Sequence, residues 1–238
     1  MFHETRYASR ESKAKKITAI LQDFLGSDFS NYNCLDVGCS AGDITNNIAE
    51  HFHSTVGIDI DREAVINARS ISSKSSTQFT IASGSSIPFE ACTFDVVICA
   101  QVYEHTIKQH ALSKEIWRIL RPGGICFFSG PNSLAVMEEH YWLPFLSWLP
   151  RPLANFYIKA FRRGNEYDAY PLNYWQIRAL WEGFSIHDYT TKLILQPDRF
   201  AMDGRLGKLS WVKKIPQSIL RKLTPFFPNY NWILKKPI

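Results

Sequence analysis

Leu35-Asp36-Val37-Gly38-Cys39-Ser40-Ala41-Gly42-Asp43 reads as the end of a buried strand, a glycine turn and the start of a helix. Cys34 to Val37 is an apolar run broken by one acid, Gly38 and Gly42 bracket the turn, and Ile44, Ile48 and Phe52 recur at helical spacing. Asp43 is placed to cap the first helical N–H groups. Such a turn lets a ligand approach bare backbone.

Three readings compete for this turn. A dinucleotide fingerprint wants G-x-G-x-x-G, but Ser40 replaces the middle glycine and Gly42 falls one residue early. Gly38 to Gly42 is also a literal G-x-S-x-G, the nucleophile elbow of an α/β-hydrolase with Ser40 as nucleophile. An elbow usually follows several strands that supply an oxyanion loop; here about one helix precedes it, and no His-Gly-Gly-Gly-like segment exists. The third reading rests on the next strand. Ser54-Thr55-Val56-Gly57-Ile58-Asp59-Ile60-Asp61 alternates towards an acid about 20 residues after the turn, where a parallel sheet presents a carboxylate to both ribose hydroxyls. Asp59 is the expected partner, with Asp61 as the alternative.

Asp36 before the glycines, Asp59, Ile87-Pro88-Phe89, Phe94-Asp95-Val96-Val97 and Leu120-Arg121-Pro122-Gly123-Gly124 occur in a fixed order. Over roughly residues 34 to 130 the chain thereby resembles the class I S-adenosylmethionine-dependent methyltransferases, most of all the branch that includes the ubiquinone and menaquinone biosynthesis methyltransferases. The resemblance implies an α/β fold: a Rossmann-like seven-stranded sheet, mostly parallel with the last strand antiparallel, with helices on both faces and an inserted aromatic cap. It implies S-adenosyl-L-methionine as cofactor and a transfer step that requires no metal.

By the same resemblance Asp36 orients the methionine amino end through the glycine loop, Gly38, Ser40 and Gly42 permit close approach, and Asp59 with Ile60 meets the ribose. The family's Gly-Asp-Ala-like segment, whose acid meets the adenine amino group, is replaced by Ala82-Ser83-Gly84-Ser85, so Ser83 and Gly84 are expected at the adenine. Gln101-Val102-Tyr103-Glu104-His105 opens the substrate-facing loop and is similar to the family's Leu-Glu-His segment, with Gln101 expected at the cofactor. His105, with Glu104 beside it, is the candidate general base, and His140 and Tyr141 are second candidates. A bland alternative stands beside each: His105 could only tie down the loop, and His140 could be a surface histidine beside Glu138 and Glu139.

At 238 residues and 45% hydrophobic content the chain supports one domain. Its expected parts are a helical cover (1–30), a cofactor-binding core (31–130), a cap (131–172) rich in proline and aromatics, and a basic aromatic insertion (192–229) before the last strand. An amphipathic helix is expected over 9–25, with Ala14, Ile17, Leu21, Phe24 and Leu25 on one face. Pro122-Gly123-Gly124 is expected to stop the helix that follows strand four. Trp142, Phe145, Trp148 and Phe156 either line an acceptor pocket or form a core over the sheet.

The net charge of +5 conceals an asymmetry, since residues 192–238 hold 10 of the 27 Lys and Arg but 2 of the 22 acids. Basic residues alternate there with large apolar ones, as in Trp211-Val212-Lys213-Lys214-Ile215, a pattern suited to anionic headgroups or to ordinary packed helices. Peripheral membrane contact is therefore expected through residues 205–228, and nucleic acid is disfavoured. The five cysteines lack C-x-x-C spacing, so neither a zinc site nor a disulfide framework is indicated. Met1 to Arg6 lacks a signal peptide's apolar core and no long apolar span occurs, so a cytoplasmic location, or the cytoplasmic face of a membrane, is expected. The expected reaction is methylation of an oxygen or carbon on an apolar or lipid-linked acceptor, such as a quinone-like or envelope-polysaccharide precursor. A small soluble acceptor or a non-catalytic cofactor-binding scaffold are the alternatives, and the oligomeric state is left open.

Overall fold

The computed structural model describes residues 2–72, 75–202 and 215–238, with side chains from Arg10 onward. The segment 205–214 of the basic insertion, with Trp211, Lys213 and Lys214, and Ser73 and Lys74 of the serine-rich connection lie outside the described residues. Seven strands form one sheet: β1 (Asn33–Val37), β2 (Ser54–Asp59), β3 (Thr77–Ile81), β4 (Phe94–Ala100), β5 (Leu120–Pro131), β6 (Ser185–Asp188) and β7 (Asn229–Lys235). Their order is β3-β2-β1-β4-β5-β7-β6. The first five pair in parallel, while β7 runs antiparallel to both β5 and β6. From β1 the chain winds outward to β3, then returns to add β4 on the other side of β1. That reversal opens a crevice beyond the carboxyl ends of β1 and β4, where ligands of open α/β sheets bind.

Strand alternation divides the core between the two faces of the sheet. Leu35, Val97, Cys99, Phe128, Trp232 and Leu234 pack on one face with the helices α4 (Gln109–Ile119) and α6 (Tyr174–Leu180). Cys34, Val96, Ile98, Phe127 and Ile233 point the other way, against α1 (Phe2–Leu25) and α2 (Asp43–Ile48). Neighbouring residues on β1, β4, β5 and β7 thus serve opposite cores, as a period of two requires. On α1, Ala14, Ile17, Ile20 and Leu21 are buried and Phe24 and Leu25 pack beside them, the stripe the spacing called for.

Two of the family-like motifs are structural ties. The Asp95 carboxylate accepts the Asn33 N–H that opens β1 (2.8 Å) and is gripped by both contacts of Arg121 (2.7 and 2.8 Å). Arg118, held by Glu115, donates to the carbonyls of Ile87 and Phe89, fixing the turn before β4.

Local expectations need correction at several points. Asp43 is the first helical residue rather than the N-cap, because Gly42 occupies the cap position in a left-handed conformation; the Asp43 carboxylate pairs with Arg10. Asp61 does cap a helix, α3 (Arg62–Ile71), accepting from Glu63 and Ala64 N–H, so β2 ends at Asp59. Pro122-Gly123-Gly124 does not follow a helix into a loop. Helix α4 ends at Ile119, and Leu120 already pairs with Phe94 across an irregular register, so β5 begins before these three residues and contains them. Pairing won over the turn propensity of these residues because Leu120 is fully buried.

The segment 131–172 builds a small core of its own around α5 (Arg151–Ala160), with Leu143, Leu146, Ala154, Ile158, Tyr167 and Ala169 buried together. Arg151 stacks on Tyr170 at 3.7 Å and donates to the carbonyls of Tyr167 and Ala169, closing the cap on itself. The cap aromatics do not form that core: Trp142, Phe145, Trp148 and Phe156 are 47 to 72% exposed, and none of them borders the two cavities described below. The insertion between β6 and β7 carries α7 (Thr190–Leu195) and α8 (Gln217–Leu223) in its described parts. Among the described residues no helix is long and apolar enough to cross a membrane.

Candidate active site

At the carboxyl end of β1 the chain turns through Gly38 (φ 74°), Ser40 (φ 48°) and Gly42 (φ 79°), all left-handed. The N–H groups of Gly38 and Cys39 both reach the Ile58 carbonyl on β2, which pins the turn to the neighbouring strand. A Cβ on Gly38 would stand 2.5 Å from Val102, and one on Gly42 would press into Phe79 and Ala68 at 2.8 and 2.9 Å. Gly38 therefore keeps the loop close to the segment after β4, whereas Gly42 serves the packing of α2 on β3.

Asp59 ends β2 facing this loop. One carboxylate oxygen accepts the Ser40 N–H (2.7 Å) and the other the Asp61 N–H (2.9 Å). Each oxygen keeps a further lone pair. Gly38, Ser40, Asp59, Ile60, Ser83, Gly84, Gln101 and His105 together border a cavity of about 340 Å³. Ile60, 74% exposed, offers an apolar face at its rim. The hydroxyl of Ser83, which also lines the cavity, bonds that of Ser85 at 2.9 Å.

Asp36 and Gly42 do not border this cavity. Asp36 is buried beneath the loop and accepts from the Thr45 hydroxyl at 2.5 Å. Burial pushes its pKa up to about 7, against the pull of the Thr45 bond and with a further push from the Asp59 charge. Any influence of Asp36 on a ligand passes through the loop it supports.

A second cavity, of about 380 Å³, lies alongside and shares Gln101 with the first. Lys13, Lys16 and Ile17 of α1, Phe127 and Ser129 of β5, Glu139, His140, Met202, Asn229 and Asn231 surround it. Gln101 is held with φ at 61°, its N–H on the Ser129 carbonyl. Non-glycine residues in that region cost energy and cluster at functional sites. Lys16, Ser129, Asn229 and Asn231 were not legible as site residues, because α1, β5 and β7 meet only in the folded sheet; Lys16 donates to Asn231 across 215 positions.

Where the cavities join, His105 and His140 approach edge to face with their Nε2 atoms 3.3 Å apart. Glu138 accepts from His140 Nδ1 (2.8 Å) and from the N–H groups of His140 and Tyr141. That carboxylate raises the His140 pKa, while burial and the neighbouring His140 lower that of His105. Glu104 is fully buried under the pair, its Oε1 3.9 Å from His140 Nε2, and burial drives its pKa up to about 8. Tyr141 belongs elsewhere: its hydroxyl binds Asp168 and the Glu166 carbonyl within the cap. Ser40 has no hydrogen bond to a histidine among the described residues, so the elbow reading lacks its base.

A glycine turn after β1, an acid closing β2, a cavity over the reversal of strand order and an antiparallel β7 make up a Rossmann-like fold similar to that of the class I S-adenosylmethionine-dependent methyltransferases. The residues present fit that cofactor: Gly38 and Ser40 bring the main chain of the turn to the cavity wall, and Asp59 beside them retains acceptor capacity for two hydroxyls. In agreement, residues 35–128 match the family described as "Methyltransferase domain". The chain is 31% identical over 127 residues to the ubiquinone biosynthesis O-methyltransferase of Idiomarina loihiensis, covering 49% of this chain and 51% of that protein. It is 26% identical over 131 residues to the demethylmenaquinone methyltransferase of Lactococcus lactis subsp. lactis, covering 52% of each. The chain thus spans about half the length of these curated relatives. In fold it is similar to the Haemonchus contortus phosphoethanolamine N-methyltransferase 2 solved with S-adenosyl-L-methionine, with a TM-score of 0.57 at 21% identity, covering 92% of this chain and 52% of that one.

Proposed function

We propose that this protein transfers the methyl group of S-adenosylmethionine to an oxygen or carbon of a quinone-like or other lipid-linked acceptor. The observation that carries the reading is the pair of adjoining cavities that share Gln101, with the His105–His140 pair where they meet. Bound cofactor supplies an electrophilic methyl group. Displacement at that carbon needs an in-line nucleophile and little else, so orientation supplies much of the acceleration.

The chain's own residues divide the work. Asp59, Ser40 and Gly38 would hold the cofactor, with Ser83 and Ile60 at its base. Gln101 and the surroundings of the second cavity would orient the acceptor. His105, its pKa lowered, is neutral at pH 7 and suited to take a hydroxyl proton, with His140 and Glu138 behind it. The second cavity mixes Ile17, Ile44 and Phe127 with Lys13, Lys16, Asn229 and Asn231, which suits a ring bearing polar groups. The exposed Trp142, Phe145, Trp148 and Phe156 would carry an apolar tail or a bilayer surface outside it. Identity with the two quinone-pathway relatives supports this acceptor class.

The polar part of the second cavity also favours a second reading, a small soluble acceptor. Calorimetric titration with S-adenosylhomocysteine tests the cofactor assignment, and absence of saturable binding overturns it. Methyl transfer to a catechol with and without an isoprenoid tail separates the acceptors. Preference for the tailed compound supports the lipid-linked reading, and equal rates favour the soluble one.

A further inference from the structure

Glu104, His105 and His140 place one ligand atom each within 4.8 Å of one another, although the cap residue lies 35 positions beyond His105. We propose that these three side chains form a binding site for a divalent transition-metal ion of the zinc type.

The spacing of the nitrogens is the first argument. Two imidazole nitrogens each about 2.0–2.1 Å from a tetrahedral ion stand about 3.3 Å apart. His105 Nε2 and His140 Nε2 are separated by 3.3 Å. The Glu104 oxygen stands 3.9 Å from His140 Nε2 and within 4.8 Å of the His105 ring, so a carboxylate shift of roughly 1–1.5 Å brings it to tetrahedral spacing.

The second argument is an orphan. Both Glu104 carboxylate oxygens are buried without a hydrogen-bond partner among the described residues. A buried carboxylate in that state costs several kcal/mol unless it is protonated, paired or bound to a cation. The residue at 104 is held there regardless, since its backbone carbonyl accepts the Tyr170 N–H (2.6 Å) and the whole turn is packed under the cap.

Orientation of the ligands is the third. Glu138 accepts from His140 Nδ1, so the neutral ring presents its Nε2 lone pair towards His105. Metal-binding histidines are commonly fixed by a carboxylate or carbonyl at the other nitrogen. A donor set of two imidazoles and one carboxylate suits zinc and its first-row neighbours better than calcium or magnesium, which prefer oxygen. With three protein ligands, a fourth position is left open, as in catalytic rather than structural zinc sites. His105 borders the first cavity and His140 the second, so an acceptor oxygen in the space between them would be within reach of the ion.

This site shares His105 with the proton acceptor of the proposed function, so a bound ion would take the place of that free base, and the test of the site does not use activity. Metal-free full-length protein is titrated with cobalt(II) chloride, followed by visible absorption, and with zinc chloride by calorimetry. One equivalent should bind with the absorption of tetrahedral cobalt. Glu104→Gln and His140→Ala should each weaken binding by about 100-fold or more, and Glu138→Gln by about 10-fold, as loss of an outer carboxylate does. S-adenosylhomocysteine affinity in each variant reports that the fold is intact. No saturable binding to the wild-type protein, or binding that all three variants retain, as thiolate capture at the exposed Cys92 would give, overturns the site.

Discussion

The Asp59 carboxylate accepts the Ser40 main-chain N–H at 2.7 Å, coupling the end of β2 to the turn that leaves β1. One acid thus shapes the glycine loop and faces the cavity that the loop borders. Asp59→Ala should weaken S-adenosylhomocysteine binding by about 1.5–3 kcal/mol, the range for hydrogen bonds to a charged group. Calorimetry checks it, and unchanged affinity would remove Asp59 from the cofactor site.

Gly38→Ala places a methyl group 2.5 Å from Val102 on a backbone with φ at 74°. The left-handed conformation alone costs about 1 kcal/mol or more for alanine, and the clash adds to it. Denaturant unfolding should show this loss together with weakened cofactor binding. Adding Val102→Ala should recover part of the stability but not the conformational share.

Glu104 makes stability depend on pH. Its folded pKa, raised to about 8 from 4.5, means the folded state holds a proton that the unfolded chain has released between those values. Metal-free protein should therefore lose stability as pH rises through that window, with full stability below about 4.5 as far as this group is concerned. Glu104→Gln should flatten the profile and melt above the wild type at about pH 8. Melting temperatures across the range, in the presence of a chelator, decide the matter.

Asp36 responds to the same logic with a different partner. Thr45→Val removes the hydroxyl that lowers its pKa from burial's full effect, so the value should climb beyond about 7. Destabilisation of about 1–3 kcal/mol is expected above that pH, where the charge would be buried unpaired, and less below it.

In metal-free protein, His105→Ala should lower turnover on a hydroxyl acceptor while leaving cofactor affinity near the wild-type value. Since the base acts in its neutral form and its pKa lies below the ordinary 6.5, wild-type kcat/KM should fall only as pH drops beneath that value. Loss of that acidic limb in the variant is the check, and wild-type turnover would exclude His105 as the base.

The sequence by itself determined the sheet, and the turn and the acid that border its crevice. Val37-Gly38, the acid at 59 and the alternation along β1, β2 and β4 are local signals, because strand period, turn chemistry and a strand-end carboxylate each depend on a few neighbouring residues. Tertiary structure decided the rest. Asp36 and Asp59 look alike in the chain, but only burial under the loop separates a buried, Thr45-bonded acid from one facing the cavity. The turn-forming Pro122-Gly123-Gly124 became strand because Leu120 is buried opposite Phe94. The cap aromatics read as core or pocket and proved exposed, since the smaller Leu146, Ala154, Ile158 and Ala169 fill the space beneath them. His140 meets His105, and Lys16 meets Asn231, only because the cap, α1 and β7 fold over the same end of the sheet. Contacts of that range leave no periodic trace in the chain, which is why the cavity at the β1 turn was legible and the one between α1, β5 and β7 was not.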